Sequence, residues 1–473
     1  MRPVIIGAGP AGLTAAYALS KAGVPPIVLE ASQKIGGISR TERLDEYRYD
    51  LGGHRFFSKS TEVEALWDEL ASEPLLTRPR LSRIFYDGDF YDYPLRLGNA
   101  LRNMGVVASA EVGVSYLAAR LRPETNDESF EAWVTNRFGR RLYKMFFESY
   151  TEKVWGRPCS EISADWAAQR IRNLSLGKAV IGALGLGRRG EVTTLIDEFR
   201  YPRLGPGQLW EACADKCRTF GADVHLGENV VAFETEEPSE HPRVTAVQTR
   251  AADGSQNRYE TDWVVSSMPL RDLLPAFPEA PTAVRSIASR LGYRGFAIAA
   301  CVLSEPGLFP DNWVYVHSGS VRLARVQNVG NWSSAMVPEE GTSLLGLEFF
   351  ADPGDDLWTM PDEELVALGD REVRAIGLVR RGRLLHGCVT RVPDAYPVYE
   401  RHHAEFFAPL QEWLVGLPNL VCVGRNGQHR YNNMDHSMTT ALLAVAGLLD
   451  GRARDVWAVN AESEYHEEGG ANA

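Results

Sequence analysis

Cysteine is scarce in this sequence, and its few copies have neither paired nor metal-ligand spacing. Six cysteines are spread over 473 residues, without a CxxC unit or a His/Cys cluster at zinc-ligand spacing. Cys213 and Cys217 stand one helical turn apart, which we interpret as core packing in a reducing compartment. We therefore expect no metal site.

Positive charge and long apolar runs are scarce as well. The formal net charge of -12 and the pI near 5.5 leave little general attraction for nucleic acid, whose binding depends on Lys and Arg. No apolar run approaches about 18 residues. The chain also passes from Met1-Arg2-Pro3 into an apolar strand without the features of a signal peptide. These absences predict a cytoplasmic protein without a membrane span.

The N-terminal residues form a nucleotide-binding pattern. The apolar run Val4-Ile5-Ile6 leads into Gly7-Ala8-Gly9-Pro10-Ala11-Gly12 and then into a helical stretch from Leu13 to Leu19. Gly7 permits the tight turn, Gly9 lets the backbone approach a pyrophosphate, and Gly12 lets helix and strand pack closely. The helix N-terminus would face the phosphates. The predicted cofactor contacts in this turn are Gly7, Gly9, Pro10, Ala11 and Gly12.

An acidic residue follows at the position that a dinucleotide fold requires. The second apolar strand, Pro26-Ile27-Val28-Leu29, ends at Glu30, about 20 residues after the glycine turn, where a carboxylate can bind the adenosine ribose hydroxyls. A glycine turn in an unrelated α/β fold is the alternative interpretation. It leaves the position of this acid to coincidence.

A second glycine pair favours FAD over NAD. Gly36 and Gly37, in Ile35-Gly36-Gly37-Ile38-Ser39-Arg40, come directly after the ribose-binding strand. This pair resembles the extended FAD signature of the amine oxidase and glutathione reductase-like flavoproteins, and Arg40 is placed to reach the diphosphate. Residues 185–190 also spell GxGxxG, but Glu191-Val192-Thr193-Thr194 is a poor start for a phosphate-binding helix, so we interpret them as a loop.

The order of apolar segments predicts an α/β protein with a discontinuous Rossmann-type FAD-binding domain. Strands that could complete the first sheet lie downstream, at 223–226, 263–266 and 420–424. We expect a mainly helical substrate domain and, beyond it, an antiparallel or mixed sheet domain. The expected boundaries are 1–60, 205–270 and 411–450 for the FAD domain, 61–204 for the helical domain, 271–410 for the sheet domain and 451–473 for the tail.

Beyond the flavin motif, the sequence resembles the UDP-galactopyranose mutase family. The most specific block is Tyr150-Thr151-Glu152-Lys153-Val154-Trp155-Gly156-Arg157, similar to the family's YTEKxWGR run. Further similar blocks follow in the family's order: residues 50–56 (DLGGHRF), 395–398 (AYPV), and Gly424-Arg425 with Tyr431 and Met434.

The resemblance implies a nucleotide-sugar site. Tyr150 corresponds to the family's uracil-stacking tyrosine, Trp155 to the aromatic residue of a mobile loop, and Tyr396 to a hydroxyl donor at the diphosphate. Arg170 and Arg325 correspond to the two diphosphate-binding arginines, with Arg322 as a rival for Arg325. Two guanidiniums suit this ligand because each grips phosphate oxygens bidentately. The substrate contacts implied are Phe147, Tyr150, Trp155, Arg170, Arg325 and Tyr396, although core packing explains Phe147 well.

The flavin side of the site is implied in the same way. His54 would lie beside the isoalloxazine, and a helix starting near Met434 would direct its N-terminus at the flavin pyrimidine oxygens. A core histidine satisfied by backbone groups is the alternative for His54. The further cofactor contacts implied are Gly53, Val230, Gly424, Arg425, Asn433 and Met434.

Two departures from the family pattern concern the substrate side. Asn432 and Asn433 stand where the family carries a tyrosine and an aspartate, and Gly53 and Arg55 flank His54 in place of an alanine and an apolar residue. The sugar, or the reaction, can therefore differ. The residues to which the resemblance gives a catalytic role are His54, Arg170, Arg325, Tyr396, Asn432 and Asn433.

The activity implied is a pyranose/furanose mutase reaction on a nucleotide sugar. In the family, N5 of reduced FAD bonds to the anomeric carbon as the nucleoside diphosphate departs, and the flavin is reduced beforehand by an external donor such as NAD(P)H. The main alternative is an amine oxidase-type enzyme that oxidises a C–N or C–C bond, and a flavin-binding protein without catalysis is a third. The sequence leaves open whether the protein is a monomer or a dimer.

Overall fold

The computed structural model describes residues 2–93, 97–125, 127–164, 196–236, 240–399 and 403–460. Within these ranges the strands, in chain order, are β1 (Pro3–Ile6), β2 (Ile27–Glu30), β3 (Thr41–Leu44), β4 (Tyr47–Asp50), β5 (Leu76–Pro79), β6 (Ser82–Tyr86), β7 (Asp89–Asp92), β8 (Glu198–Tyr201), β9 (Asp223–Leu226), β10 (Glu228–Thr235), β11 (Val244–Ala251), β12 (Gln256–Glu260), β13 (Trp263–Ser266), β14 (Tyr293–Leu303), β15 (Trp313–Val316), β16 (Arg325–Asn328), β17 (Ser343–Phe350), β18 (Leu384–Pro397) and β19 (Leu420–Cys422). The helices are α1 (Pro10–Lys21), α2 (Thr61–Leu70), α3 (Leu97–Leu121), α4 (Phe130–Phe138), α5 (Arg140–Tyr143), α6 (Ser149–Trp155), α7 (Pro206–Thr219), α8 (Leu270–Leu273), α9 (Thr282–Ser289), α10 (Val329–Trp332), α11 (Asp356–Thr359), α12 (Asp362–Ala375), α13 (His403–Gly416), α14 (Gly424–Gly427) and α15 (Met434–Asp450).

A parallel five-stranded sheet, in the order β19-β13-β1-β2-β9, forms the nucleotide-binding part of the fold. Its central strand β1 is fully buried at Val4 and Ile5, as expected for a parallel strand covered on both faces. α1 packs against α7 and α15. Three of the five strands come from the downstream segments at 223–226, 263–266 and 420–424. The prediction of a discontinuous Rossmann-type fold is confirmed.

A second, seven-stranded sheet has the order β18-β14-β17-β16-β15-β6-β7. All its neighbouring strands are antiparallel except β15 and β6, which are parallel, so the sheet is mixed. Every residue of β14 and β17 is buried. Such strands form because side chains pack on both faces of the sheet.

The aromatic run from 142 to 150 is helical, as its pattern predicts, but it is not one regular α-helix. α5 and α6 are joined by a π-helical turn at Lys144–Glu148. π-helical turns of this kind frequently occur at functional sites, because the extra residue changes the direction of the side chains that follow. The residues that follow here are those of the YTEKxWGR-like block.

Packing crosses two of the expected domain boundaries. β6 and β7, within the segment expected to be mainly helical, extend the seven-stranded sheet. The segment from Leu270 to Leu291 and the apolar side of α13 pack into the core of the five-stranded sheet. These strands and helices were not predicted individually from the sequence, and sequence pattern cannot tell which of two neighbouring cores receives an amphipathic helix.

One helical stretch among the described residues, Asn103–Leu121 of α3, has the length and composition of a membrane-crossing helix, with only 6% of it buried. The sequence nevertheless lacks a long uninterrupted apolar run, since Glu111 and Arg120 interrupt this stretch. α3 is kinked at Gly105.

Candidate active site

The first glycine turn forms a cradle in which backbone atoms approach very closely. A Cβ atom at Gly12 would lie 1.8 Å from the Gly7 carbonyl oxygen, and one at Gly7 would lie 2.2 Å from the Ser267 hydroxyl. α1 begins at Pro10, which has no N–H, at a position where that donor has no partner within the helix. The cradle therefore leaves the helix N-terminus open to a pyrophosphate, as the motif predicts.

The carboxylate of Glu30 is held in a fixed position at the end of β2. The Ala8 amide donates a hydrogen bond to Oε2 at 2.7 Å, and the Ser32 amide donates to Oε1 at 2.9 Å. Both carboxylate oxygens retain acceptor capacity beyond these bonds. This arrangement suits a carboxylate that binds ribose hydroxyls at the adenosine end of a dinucleotide.

The second glycine pair packs directly on the first turn. The Gly36 amide donates to the Ala8 carbonyl at 2.9 Å, and a Cβ atom at Gly37 would lie 3.2 Å from the Gly9 Cα. Arg40 fixes this pair, because its guanidinium donates to the Gly37 carbonyl at 2.9 Å and to Glu42 at 2.6 Å. Much of the hydrogen-bonding capacity of Arg40 is thus used within the protein.

The segment after β19 packs against the glycine cradle. A Cβ atom at Gly424 would lie 2.9 Å from the Ala11 Cβ, which brings α14 against the start of α1. Asn433 caps α15 and forms a capping box with His436, so the helix begins at Met434 as predicted. Val230 is buried in the core beside the five-stranded sheet.

Arg325 lies at the centre of a polar cluster on the wall formed by the seven-stranded sheet. Its Nε donates to the Tyr150 hydroxyl at 2.7 Å, and its Nη1 lies 3.1 Å from the Tyr396 hydroxyl and 3.3 Å from a Glu348 oxygen. Burial lowers the pKa of Arg325, but the surrounding Tyr150, Tyr396 and Glu348 outweigh this and raise it well above its usual value. The structure thus brings together three residues that were predicted from separate sequence blocks.

Glu348, which sequence reasoning missed, is the buried counter-ion of Arg325. It is fully buried on β17, and burial raises its pKa although Arg325 opposes this shift. Its Oε2 binds Arg325, whereas Oε1 has no hydrogen-bond partner among the described residues. A Cβ atom at Gly52 would lie 3.5 Å from Oε1, so this oxygen faces the segment that precedes His54.

Tyr396 joins the Arg325 cluster to a second guanidinium. Its ring stacks on Tyr431 with centroids 5.5 Å apart, and the Arg425 guanidinium lies 5.5 Å from the Tyr396 ring centre and 4.8 Å from that of Tyr431. The Arg425 donors go to the carbonyls of Ala395 and Asn432. Arg425 is therefore a fixed positive charge with much of its donor capacity already used.

His54 lies close enough to the cluster for the charge of Arg425 to act on it. Its Nε2 is 3.1 Å from the Leu51 carbonyl oxygen. Burial lowers the pKa of His54 to about 4, and the charge of Arg425 adds to this effect. The imidazole is consequently neutral near pH 7 and can donate one hydrogen bond and accept another.

Trp155 is buried and Tyr150 is partly buried, and neither lies on an open loop. Tyr150 stacks on His317 with ring centroids 4.4 Å apart, so one face of the ring expected to stack on a base contacts the protein itself. Trp155 ends α6 and is 5% exposed, beside Val398 and Tyr399. Phe147 stacks on Phe138 within the helical core, which favours packing over substrate contact.

Lys153 of the YTEKxWGR-like block ties α6 to the loop that leads into β16. Its ammonium donates to the carbonyls of Val316, Ser318 and Leu323 at 3.3, 2.6 and 3.2 Å. Burial lowers the pKa of Lys153 to about 8. The loop held in this way ends at Arg325, so Lys153 positions the guanidinium without contacting it.

Two of the other predicted residues, Asn432 and Arg322, do not join the cluster. Asn432 is buried, its amide donates to Gln428 at 3.1 Å, and its oxygen accepts from Asn460, so its side chain is used inside the fold. Arg322, the rival of Arg325, is exposed and paired with Asp356. Arg170 lies outside the described residues, as does the GxGxxG sequence at 185–190.

The stacked pair of His317 and Tyr150 predicts a pH-dependent stability. Burial lowers the pKa of His317 from 6.5 to about 3, with Lys153 adding to the shift. Below pH 6.5 the His317 imidazole therefore takes up a proton in the unfolded chain but stays neutral in the folded chain. The free energy of unfolding falls for this reason as the pH is lowered from 6.5 towards 3. In urea titrations, the stability advantage of wild type over His317→Gln should shrink by about 2 kcal/mol between about pH 7 and about pH 5. A pH-independent difference would contradict the burial of a neutral imidazole.

The glycine cradle, the fixed carboxylate of Glu30 and the helix start at Met434 define a dinucleotide-binding flavoprotein. The family model of flavin containing amine oxidoreductases matches residues 10–449, and the chain belongs to this family. Membership in that family implies that the cradle holds FAD. The close contacts at Gly12, Gly37 and Gly424 fit the fold that binds this cofactor, because glycine at these positions lets the two turns and α14 pack against the start of α1.

The similar proteins differ in what they do. The coproporphyrinogen III oxidase of Mycobacterium leprae (strain TN) is 24% identical over 469 residues, which cover 94% of this chain and 96% of that protein. The chloroplastic protoporphyrinogen oxidase 1 of Spinacia oleracea is 27% identical over 188 residues, or 38% of this chain and 34% of its own length. A solved structure of reduced UDP-galactopyranose mutase is similar with a TM-score of 0.82 and 22% identity, covering 98% of this chain and 96% of that one. At that identity the likeness shows the fold alone.

Proposed function

We propose that this chain is an FAD-dependent, mutase-like enzyme that binds a nucleoside-diphosphate sugar and interconverts its pyranose and furanose forms with reduced flavin. The observation that carries the proposal is the position of Arg325, a largely enclosed guanidinium, 14% exposed, held between the hydroxyls of Tyr150 and Tyr396. A fixed cation beside two phenols is suited to grip diphosphate oxygens and to stabilise the charge that develops as the diphosphate leaves.

Glu348 does not cancel this role. Burial raises the pKa of Glu348 although Arg325 opposes this shift, and only Oε2 contacts the guanidinium. Its Oε1, which faces Gly52, is the atom at which this chain can accept or return a proton as a sugar ring opens and closes. Arg325 would therefore bind the phosphate oxygens, and Glu348 would transfer the proton.

FAD, when bound, supplies the nucleophilic and redox chemistry that no side chain provides. The residues that would hold it are the glycines of the two turns, Glu30, and the start of α15. Neutral His54 would orient polar groups beside the ring, and the fixed charge of Arg425 would favour a negatively charged reduced state. An external donor, with NAD(P)H as the first candidate, would provide the electrons.

A second candidate is the oxidation of a C–N or C–C bond of a small molecule. The near full-length similarity to coproporphyrinogen III oxidase favours it. Arg425 argues against a simple amine substrate. Its charge lies 4.8 Å from the Tyr431 ring centre, so it would repel a cationic amine bound to the stacked tyrosines. If the protein is an oxidase, we therefore expect its substrate to be anionic or neutral.

One anaerobic experiment separates the two candidates. The purified protein is reduced with dithionite or with NADPH and incubated with a panel of nucleoside-diphosphate hexoses, and the pyranose/furanose ratio is read by NMR. We expect the ratio to move towards equilibrium for at least one sugar with reduced flavin and to stay unchanged with oxidised flavin.

The control is the oxidised protein mixed without oxygen with amines, amino acids and porphyrinogens, while its flavin absorbance is recorded. Bleaching of the flavin by one of these compounds, together with an unchanged ratio for every nucleotide sugar, would replace the mutase proposal by the oxidase. Arg322→Ala should behave as wild type in both arms, because Arg322 lies on the surface.

A further inference from the structure

The outward face of α3 carries an apolar strip that nothing in the described part of the chain covers. Its large members, Val106, Val107, Val114, Leu117 and Leu121, are 60 to 87% exposed. With 100° between successive residues, these side chains lie on one side of the helix together with exposed Ala110 and Ala118. Contiguous apolar strips of this size mark interaction sites rather than ordinary surface.

The opposite face of α3 is packed against the protein. Val112 is buried, and the Arg141 amide donates to the Ser115 hydroxyl at 2.9 Å. Before the kink at Gly105, the Asn103 amide group donates to the Phe90 carbonyl at 2.7 Å. Gly139 also fits its backbone against Ser115 and Tyr116. A helix attached along its length in this way cannot cross a bilayer, although its length and composition would allow it. It can only lie along a surface.

The charges that border the strip suit phospholipid headgroups. Glu111, the carboxylate at its edge, is paired with Arg141 at 3.1 Å, so its negative charge is compensated. Arg120 and Arg122 lie at the C-terminal end of the helix and are exposed. This is the composition of an interfacial helix, in which apolar side chains enter the acyl boundary and arginines meet the phosphates.

The alternative is that the strip packs against a second copy of the chain, but a single helix buries too little surface area for a stable dimer. A ridge of this kind packed against its symmetry mate buries on the order of 400 Å² per partner, about half of what a stable dimer interface requires. We propose that the α3 strip docks the protein onto the surface of a phospholipid bilayer, with the helix parallel to the membrane plane.

The test is flotation of the full-length protein with unilamellar vesicles of phosphatidylcholine and phosphatidylglycerol. Wild type should float with the vesicles, and Val114→Glu/Leu117→Glu should lose roughly tenfold or more of this binding, since two carboxylates would enter the acyl boundary. Arg120→Gln/Arg122→Gln should lose roughly fivefold per arginine, and less at high salt. Val415→Glu, at an equally exposed valine on α13, is the matched control and should float as wild type.

Flavin content and thermal unfolding of each variant show whether it is folded. Wild type that stays at the bottom of the gradient would overturn the proposal, as would undiminished flotation of the Val114→Glu/Leu117→Glu protein. Light scattering adds a further outcome. A wild-type dimer that this double variant dissociates, without any binding to vesicles, would assign the strip to a second copy and reject the lipid.

Discussion

Replacing Arg325 by methionine is expected to weaken binding of UDP, the simplest diphosphate probe, by roughly 100-fold or more while the flavin content stays unchanged. The guanidinium is the largely enclosed cation that bonds the hydroxyls of both Tyr150 and Tyr396, and methionine fills its volume without its charge or donors. Calorimetric titration of the purified protein measures the affinity. Arg322→Met is the matched control, since that arginine is exposed and paired with Asp356, and it should bind as wild type.

The same substitution tests the ion pair with Glu348. Removing Arg325 leaves a buried carboxyl group without its partner, which typically lowers stability by about 3 to 5 kcal/mol. Adding Glu348→Gln should restore much of the melting temperature without restoring UDP affinity. If Arg325→Met binds UDP as tightly as wild type does, the diphosphate assignment is wrong, whatever the flavin does.

Gly12→Val should yield a protein without bound flavin. A Cβ atom at this position would lie 1.8 Å from the Gly7 carbonyl oxygen, and neither backbone can move without opening the cradle. The expected measurement is loss of the flavin absorbance from the purified protein, together with a melting temperature that added FAD no longer raises. Gly113→Ala, at a helical glycine with open space around it, should keep its flavin and serves as the control. Full flavin occupancy in Gly12→Val would contradict the cradle.

Much of the fold was accessible from sequence because its signals are local. The strand, glycine turn, helix and acid from Val4 to Glu30 form one continuous unit, and each glycine has a physical reason within a few residues. The apolar runs at 263–266 and 420–424 predicted their own strands. Their neighbours in the sheet, and the packing of α8, α9 and α13 into the core of the five-stranded sheet, depend on contacts between distant segments.

The site could be predicted from the sequence only in part, because its contacts also connect distant segments of the chain. Arg325, Tyr150 and Tyr396 were identified by resemblance, but their hydrogen bonds connect positions far apart in the chain. Glu348 did leave a signal that was overlooked. A single carboxylate in the otherwise apolar run Leu344-Leu345-Gly346-Leu347-Glu348-Phe349-Phe350 has to find a buried cation, because isolated charges are not tolerated there.

Phe147 and Asn432 were both predicted to lie on the substrate side, but the structure uses both side chains within the fold. Phe147 belongs to an aromatic helix stripe, and the structure places it among Phe130 and Phe138. Asn432 was selected because it departs from the family pattern, but its amide groups serve the turn that leads into α15. A polar substitution at a position that is charged or aromatic in relatives can therefore reflect a repacked turn rather than a changed ligand.

The strand order β19-β13-β1-β2-β9 has a consequence for biosynthesis. During translation β1 meets β2 soon after both leave the ribosome, but its other neighbour, β13, is made only after residue 260, and β19 later still. Until then a fully apolar strand keeps one edge exposed, which is the state in which nascent chains aggregate or recruit chaperones. We expect fragments that stop before Leu420 to be insoluble. We also expect slow translation of the middle of the messenger RNA to increase the need for chaperones.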